Sequence, residues 1–90
     1  MLEDAVESYV VFQAEKAGWW CRKISWIGQT GAPDRCFAKD GRTVWIEFKR
    51  PKKGAEERQA REHKRMRNAG MEVHVCDTIP KAMKVLGLPC

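Results

Sequence analysis

Two carboxylates and a lysine, Asp34, Glu47 and Lys49, are the residue types that a metal-dependent phosphodiesterase needs. Carboxylate oxygens bind hard cations such as Mg²⁺ or Mn²⁺, and a neighbouring lysine can offset charge on a phosphate. From Thr43 to Lys49, apolar residues alternate with Trp45, Glu47 and Lys49. This alternation predicts a strand that projects Glu47 and Lys49 from the same side. Folding must then bring Asp34 to them.

A hairpin predicted just before Glu47 would bring Asp34 close to it. Arg35–Ala38 can form a short strand, and Lys39–Arg42 contains the Asp-Gly pair, which is a strong turn signal. Such a hairpin places Asp34 across from the far end of the second strand. The sequence therefore predicts that Asp34 and Glu47 share a divalent cation, with Lys49 beside it.

Positive charge is concentrated in the second half of the chain. The net charge is +5; residues 1–45 carry six basic and six acidic side chains, whereas residues 46–90 carry eleven and six. A basic surface beside carboxylates suits a polyanion, and nucleic acid is the leading candidate. The candidate phosphate-binding residues are Arg50, Lys52, Lys53, Arg58, Arg61, Lys64 and Arg65. For those on the predicted helix, an ordinary solvated face is the alternative interpretation.

Length and composition limit the class of protein. The 90 residues allow one domain, residues 1–90, with a small core. The four cysteines lack C-x-x-C spacing, which favours reduced thiols over a zinc site or disulfides. His63 and His74 have no second ligand at metal spacing, so we interpret them as structural or phosphate-facing. No apolar run could span a bilayer and no signal peptide opens the chain, so we expect no membrane partner and an intracellular, cytoplasmic protein, bacterial or in a phage host.

The first helix is predicted over about Leu2–Ala17, with apolar residues at helical spacing that include Val6, Tyr9 and Val10. Glu7 lies at the edge of this stripe, so it could lean toward the sheet and the metal. A solvated glutamate is the alternative interpretation. The other predicted elements are strands at Trp19–Ile27 and Met71–Cys76, the latter with Val73 and Val75 buried, and helices at Ala55–Asn68, capped by Gly54, and Ile79–Leu86.

The helix Ala55–Asn68 links two strands, which implies their right-handed parallel pairing. Gln59 lies on its apolar face and needs a hydrogen-bond partner there. A site carboxylate, a metal-bound water or a phosphate would serve, and nearby backbone is the alternative. Small residues between Gly28 and Ala32 would let a nucleic-acid backbone or a metal approach the chain. The tryptophans are expected in the core or a dimer contact, with base stacking as the alternative.

The element order αβββαβα, with Pro33-Asp34 before one strand and Glu47-x-Lys49 within the next, resembles the PD-(D/E)xK nuclease superfamily. A fuller pattern is formed by Glu7, Gly31-Ala32-Pro33-Asp34, Glu47-Phe48-Lys49-Arg50-Pro51, Gln59 and Gly70. It resembles a stand-alone virus-type replication-repair nuclease (VRR-Nuc) domain over about residues 3–77. The chain departs from the family at Gly54, where serine or threonine is usual. The resemblance implies an α/β, restriction-endonuclease-like core in which helices flank a four-stranded mixed sheet.

The resemblance also implies roles for individual residues. Asp34 and Glu47 would bind Mg²⁺ or Mn²⁺, helped by the Phe48 carbonyl and with Glu7 as a further candidate ligand. Lys49 would position the attacking water, and Gln59 would orient the site. The expected protein is a homodimeric DNA endonuclease acting on branched DNA such as four-way (Holliday) junctions. The alternatives are a non-catalytic nucleic-acid-binding module, or an RNA-directed or structural subunit of a larger DNA repair assembly.

Overall fold

The computed structural model describes residues 3–50 and 55–90. Within them, helices and strands follow the predicted order αβββαβα. The elements are α1 Glu3–Lys16, β1 Trp20–Lys23, β2 Arg35–Lys39, β3 Arg42–Phe48, α2 Glu57–Asn68, β4 Glu72–Cys76 and α3 Ile79–Val85. No helix among the described residues is long and apolar enough to cross a membrane. The predicted helix start at Leu2 and the predicted roles of Lys52, Lys53 and Gly54 lie outside the described residues.

The four strands form one mixed sheet in the order β1-β2-β3-β4. The β1–β2 and β2–β3 pairs are antiparallel, and the β3–β4 pair is parallel. Parallel neighbours need a crossover connection, and α2 supplies it. The α/β fold class and the four-stranded mixed sheet predicted from the sequence are confirmed.

The β2–β3 hairpin turns at Asp40 and Gly41. Both residues have positive φ, 50° and 82° respectively. Two consecutive left-handed residues form the tight turn whose twist matches the flanking strands, and an aspartate-glycine pair adopts it at low cost. The resulting register pairs Arg35 with Ile46 at the open end of the hairpin.

The hydrophobic core lies between the sheet and helices α1 and α3. Val44, Ile46 and Phe48 are fully buried on this side, as the alternation along β3 predicts. They form one cluster with side chains of α1 and α3. The intervening residues of β3, Trp45 and Glu47, therefore point to the opposite face, where α2 lies.

The buried face of α1 is narrower than the predicted stripe. Val6, Val10 and Ala14 are buried, whereas Tyr9 is 44% exposed. These buried residues lie four apart, so they form a single row along the helix and Tyr9 falls beside it. The assignment of Tyr9 to the buried stripe was wrong.

The prediction that Val73 and Val75 of β4 are both buried is correct for Val73 only. Val73 is buried but Val75 is partly exposed, and Cys76 on the other face is buried instead. Val75 pairs with Glu47, which borders an open cleft, so α2 does not cover it fully.

Strand β1 ends at Lys23 instead of continuing to Ile27. Lys23 pairs with Arg35, the first residue of β2, so residues after Lys23 have no strand to pair with. The chain leaves the sheet there, and the Ile24 N–H donates a 2.9 Å hydrogen bond to the Asp34 carbonyl. Ile27 is fully exposed.

Helix α2 begins at Glu57, later than the predicted Ala55. Its N-cap is Glu56, whose backbone N–H donates to Gln59 Oε1 at 3.1 Å. A side chain at the third helical position that reaches back to the cap satisfies one of the free backbone groups at a helix start. Gln59 therefore helps to fix where α2 begins.

The four tryptophans differ in their surroundings. Trp19 is 8% exposed, and Trp26 and Trp45 are partly buried against each other with ring centroids 5.8 Å apart. Trp20 is 47% exposed, with the Arg22 guanidinium 4.6 Å from its ring centroid. Burial in the fold thus accounts for three of the side chains that motivated a dimer interface, and Trp20 remains for such a surface.

The thiols and histidines have structural surroundings. Cys21, Cys36 and Cys76 are buried free thiols, and Cys90 is exposed and free. Burial raises the pKa of Cys21 and of Cys76 to about 11, so both stay uncharged at neutral pH. His63 is buried, and His74 Nε2 lies 2.8 Å from Glu72 Oε2.

Candidate active site

Asp34 lies in the bend immediately before β2. The Arg35–Ile46 pair is the last of the hairpin, so Asp34 and Glu47 come one step beyond it on adjacent strands. Asp34 Oδ2 accepts a 2.9 Å hydrogen bond from the Phe48 N–H. Burial raises the pKa of Asp34, the bond from Phe48 opposes this rise, and the negative charge of Glu7 adds to it. The hairpin thus places the two carboxylates together, as the sequence predicts.

Glu47 is a buried carboxylate with an unsatisfied oxygen. Its residue is 2% exposed. Oε2 accepts a 2.9 Å hydrogen bond from Gln59 Nε2 and lies 3.3 Å from Lys49 Nζ. Oε1 has no hydrogen-bond partner among the residues that the structure describes. Burial, with the nearby Asp34 charge, raises the pKa of Glu47 to about 7 despite Lys49 and Gln59.

Lys49 follows β3 and keeps the alternation of that strand. Its backbone N–H donates to the Cys76 carbonyl at 3.0 Å, which extends the β3–β4 pairing by one residue. The side chain is therefore on the same side as Glu47 and is 15% exposed. A lysine ammonium held beside a carboxylate and only partly hydrated is available to a phosphate that enters the cleft.

Glu7 reaches the same cleft from α1 but is held by two cations. Its Oε2 accepts hydrogen bonds from Lys23 Nζ at 2.8 Å and from Arg35 Nε at 2.6 Å. Burial raises the pKa of Glu7, but these bonds and the positive charges of Lys23 and Arg35 together outweigh burial, and the net shift is downward. Glu7 leans toward the sheet as predicted, and it could bind a metal through Oε2 only if these cations released it.

These side chains line one cleft of about 260 Å³. Its walls are Asp4, Glu7, Lys23, Asp34, Glu47, Phe48, Lys49 and Gln59. Sequence reasoning missed Lys23 and Asp4. The acidic start of α1 and the β2–β3 hairpin can be recognised in the sequence. The position of Lys23 cannot, because it depends on the β1–β2 register, which pairs Lys23 with the distant Arg35.

The cleft fits a Mg²⁺ or Mn²⁺ ion with few protein ligands. Within residues 3–50 and 55–90, no three His, Cys, Asp or Glu side chains are grouped to hold a metal. Two carboxylates are nevertheless the usual complement for Mg²⁺, which keeps several waters and often binds substrate phosphate. The free Oε1 of Glu47 is the atom that such an ion would satisfy.

Among the described residues, the five predicted phosphate-binding cations are exposed, and three of them form ion pairs. The ion pairs along α2 are Arg58 with Glu56 at 3.9 Å, Arg61 with Glu57 at 2.9 Å, and Arg65 with Glu62 at 3.0 Å. Arg50 and Lys64 are exposed. Exposed ion pairs contribute little free energy, so a polyanion can compete for these arginines. The structure does not bring them into the cleft with Asp34 and Glu47.

Gly31, one of the small residues of the loop before Asp34, makes a close contact within the protein. Gly31 has φ of 95°, and a Cβ built there would lie 2.8 Å from the Arg58 carbonyl oxygen and 2.9 Å from Glu62 Cβ. At this glycine the close neighbour is α2 and not a ligand. Gly31 thus lets the Asp34 loop rest directly against the helix that carries Gln59.

A mixed sheet with Asp34 before one strand and Glu47-x-Lys49 at the end of the next defines the PD-(D/E)xK nuclease fold class. No family model matches the sequence. A solved structure described as "VRR_NUC domain" superposes with a TM-score of 0.86 at 30% identity, covering 94% of each chain. The protein named "Putative nuclease p44" of Acyrthosiphon pisum secondary endosymbiont phage 1 is 34% identical over 77 residues, 84% of this chain and 83% of the relative. The chain belongs to the VRR-Nuc family.

Proposed function

We propose that this protein is a divalent-metal-dependent DNA endonuclease whose active site is the cleft around Asp34, Glu47 and Lys49. The observation that carries the proposal is the buried Glu47 carboxylate, which has one oxygen without a partner among the described residues and a second carboxylate beside it. Burying such groups costs free energy. A bound cation would offset that cost, which supports a role for an ion in this cleft.

Asp34, Glu47 and the Phe48 carbonyl would hold Mg²⁺ or Mn²⁺, and Glu7 is a further candidate ligand. Nucleases of this fold generally use divalent metals. When bound, the ion supplies Lewis acidity toward a phosphate oxygen and lowers the pKa of water. The protein side of the chemistry is to hold both carboxylates ionised and correctly placed.

Lys49 and Gln59 would position the attacking water and the metal-binding carboxylate. Lys49 Nζ, next to Glu47, orients the attacking water and offsets the charge that builds up on the phosphate. Gln59 is fixed at both ends of its amide, since Oε1 accepts from Glu56 and Nε2 donates to Glu47. This double anchorage keeps Glu47 Oε2 in place and leaves Oε1 available to bind a metal.

DNA is the proposed substrate, and branched DNA such as a four-way junction the preferred form. Resolving a junction requires two symmetric cuts, and a homodimer of this domain, residues 1–90, provides two active sites. Tyr9, Phe12 and Trp20 are exposed, which supports an interface between copies. Phosphates that flank the cut would be held irrespective of sequence by Arg50, Lys52, Lys53, Arg58, Arg61, Lys64 and Arg65.

A cleavage gel tests the proposal. Labelled single-strand, duplex, flap and four-way-junction DNA is incubated with the protein and Mg²⁺, Mn²⁺ or chelator. We expect cutting with metal only, and none from Asp34→Asn or Glu47→Gln proteins that keep the wild-type circular dichroism spectrum. Full cleavage by either variant in chelator would contradict the assignment.

The non-catalytic nucleic-acid-binding module remains the second candidate, because the basic surface requires no catalysis. DNA binding without cleavage in every metal tested would favour it. An RNA-directed or structural subunit of a larger repair assembly would instead show tighter binding to RNA competitors, or no activity without its partners.

A further inference from the structure

A second cavity adjoins the candidate active site, and most of its lining residues have no role in the chemistry described above. Its volume is about 350 Å³, and it lies between the loop after β1 and the first turn of α2. Gln59 lines both this cavity and the cleft that contains Glu47. Only the Gln59 side chain therefore separates the cavity from a nucleotide whose phosphate reaches the carboxylates.

The walls of the cavity are fixed by packing. Gly31 rests against the backbone of Arg58, which holds the loop to the helix. Trp26, on the loop side, is braced by Trp45 at 5.8 Å between ring centroids. Gln59 is hydrogen-bonded at both ends of its amide. The space is therefore present before any ligand binds, which reduces the entropy lost on binding.

The lining has the mixed chemistry that a nucleobase requires. Trp26 lines the cavity and its indole Nε1 is buried, so this side chain offers a ligand no polar atom. Gln29 and Thr30 add exposed polar groups that can reach the edge of a base, and Arg58 adds a cation at the rim. Ligand pockets typically combine an apolar surface with a few polar groups in this way.

We propose that this cavity receives one unpaired nucleobase of the DNA strand that is cut, next to the scissile phosphate. The proposal rests on the proposed nuclease function and deepens it. A base in a duplex is stacked and cannot enter a recess between a loop and a helix without leaving its stack. The subsite thus favours strands with unpaired nucleotides at the cut, as at a branch point. It does not recognise the sequence of paired bases.

The test combines a cavity-filling substitution with base deletion. Thr30→Phe fills the cavity from an exposed position, and Ile27→Phe, on the same loop but outside the cavity, is the matched control. The probe is a labelled forked DNA in which single nucleotides near the mapped cut are replaced by an abasic analogue. Affinity is measured by fluorescence anisotropy with Ca²⁺ in place of Mg²⁺.

For the wild type and Ile27→Phe, we expect one abasic position to raise Kd by about fivefold or more, the scale of a lost base–aromatic contact. For Thr30→Phe, the Kd for the intact fork should be about fivefold higher than for the wild type, and the abasic replacement should raise it no further. If no position matters in the wild type, or if the penalty persists in Thr30→Phe, the subsite is wrong while cleavage still supports the nuclease. A wild type that neither binds nor cuts DNA would overturn both proposals.

Discussion

Lys49 is the residue at which catalysis and binding can be separated. Its ammonium lies 3.3 Å from Glu47 inside the cleft, whereas Lys64 is exposed on α2. We expect Lys49→Ala to lower kcat by roughly 10²–10³-fold, the scale of losing one group that stabilises transition-state charge, with little change in Kd for DNA. Lys64→Ala should weaken binding slightly and leave kcat intact. Single-turnover kinetics distinguish the two, and normal cleavage with weak binding by Lys49→Ala would make Lys49 only a phosphate clamp.

Glu47 should make the metal-free protein less stable as pH rises. Burial raises its folded pKa from 4.5 to about 7. The folded state therefore binds more protons than the unfolded state between these values, and the free energy of unfolding falls as pH increases through this range. At pH 8 without metal, Glu47→Gln should be more stable than wild type by roughly 1–3 kcal/mol.

Urea denaturation with and without Mg²⁺ measures this effect. Mg²⁺ should stabilise the wild type and leave Glu47→Gln unchanged, since a neutral amide is a poor ligand for a hard cation. Equal stability of the two proteins at pH 8 in chelator would mean that the buried carboxylate carries no such cost.

At the scale of elements, the contact between the Asp34 loop and α2 depends on Gly31. Gly28 is a matched control, because it lies on the same loop with φ of 80° but has nothing within 4 Å of a built Cβ. Alanine at either position should cost about 1–2 kcal/mol through left-handed backbone strain. Gly31→Ala should cost a further 1–3 kcal/mol or so, because its Cβ would strike the Arg58 carbonyl. Equal decreases in the free energy of unfolding of the two variants in urea would show that the loop can move away from α2 without cost.

His63 should make the packing of α2 on the sheet sensitive to acid. Neither ring nitrogen has a hydrogen-bond partner among the described residues, and burial, with the Arg67 charge, lowers its pKa below 6.5. The unfolded chain then binds the proton more tightly, so stability should fall by up to about 1.4 kcal/mol per pH unit below pH 6.5. His63→Leu should remove this slope and His74→Gln should not. An unchanged slope in thermal melts of His63→Leu would assign it to other groups.

The sequence predicted the elements whose signals are local. Alternation along β3 and the Asp40-Gly41 turn were sufficient to place Glu47 and Asp34 in one cleft. The end of β1 was not predictable, because it depends on where β2, a distant segment, begins. The cations that hold Glu7 were missed for the same reason, since Lys23 and Arg35 come from two different strands.

For the whole molecule, we expect a homodimer that prefers four-way junctions to plain duplex. Trp19 and the packed pair Trp26 and Trp45 are accounted for by burial within the fold, so they do not support a dimer interface. The remaining apolar surface includes Trp20 and Phe12. Light scattering at micromolar protein tests the mass, and competition of junction against duplex at fixed salt tests the preference. A monomer that cuts duplex and junction equally would refute this proposal and leave the nuclease proposal standing.

The bond between the Phe48 N–H and Asp34 Oδ2 gives the site a spectroscopic handle. This amide proton belongs to the backbone of β3, yet its acceptor is a side chain that we assign to metal binding. Its NMR chemical shift should therefore respond to any change in the charge or orientation of Asp34. One resonance would then report on the carboxylate pair in the free protein, without DNA and without turnover.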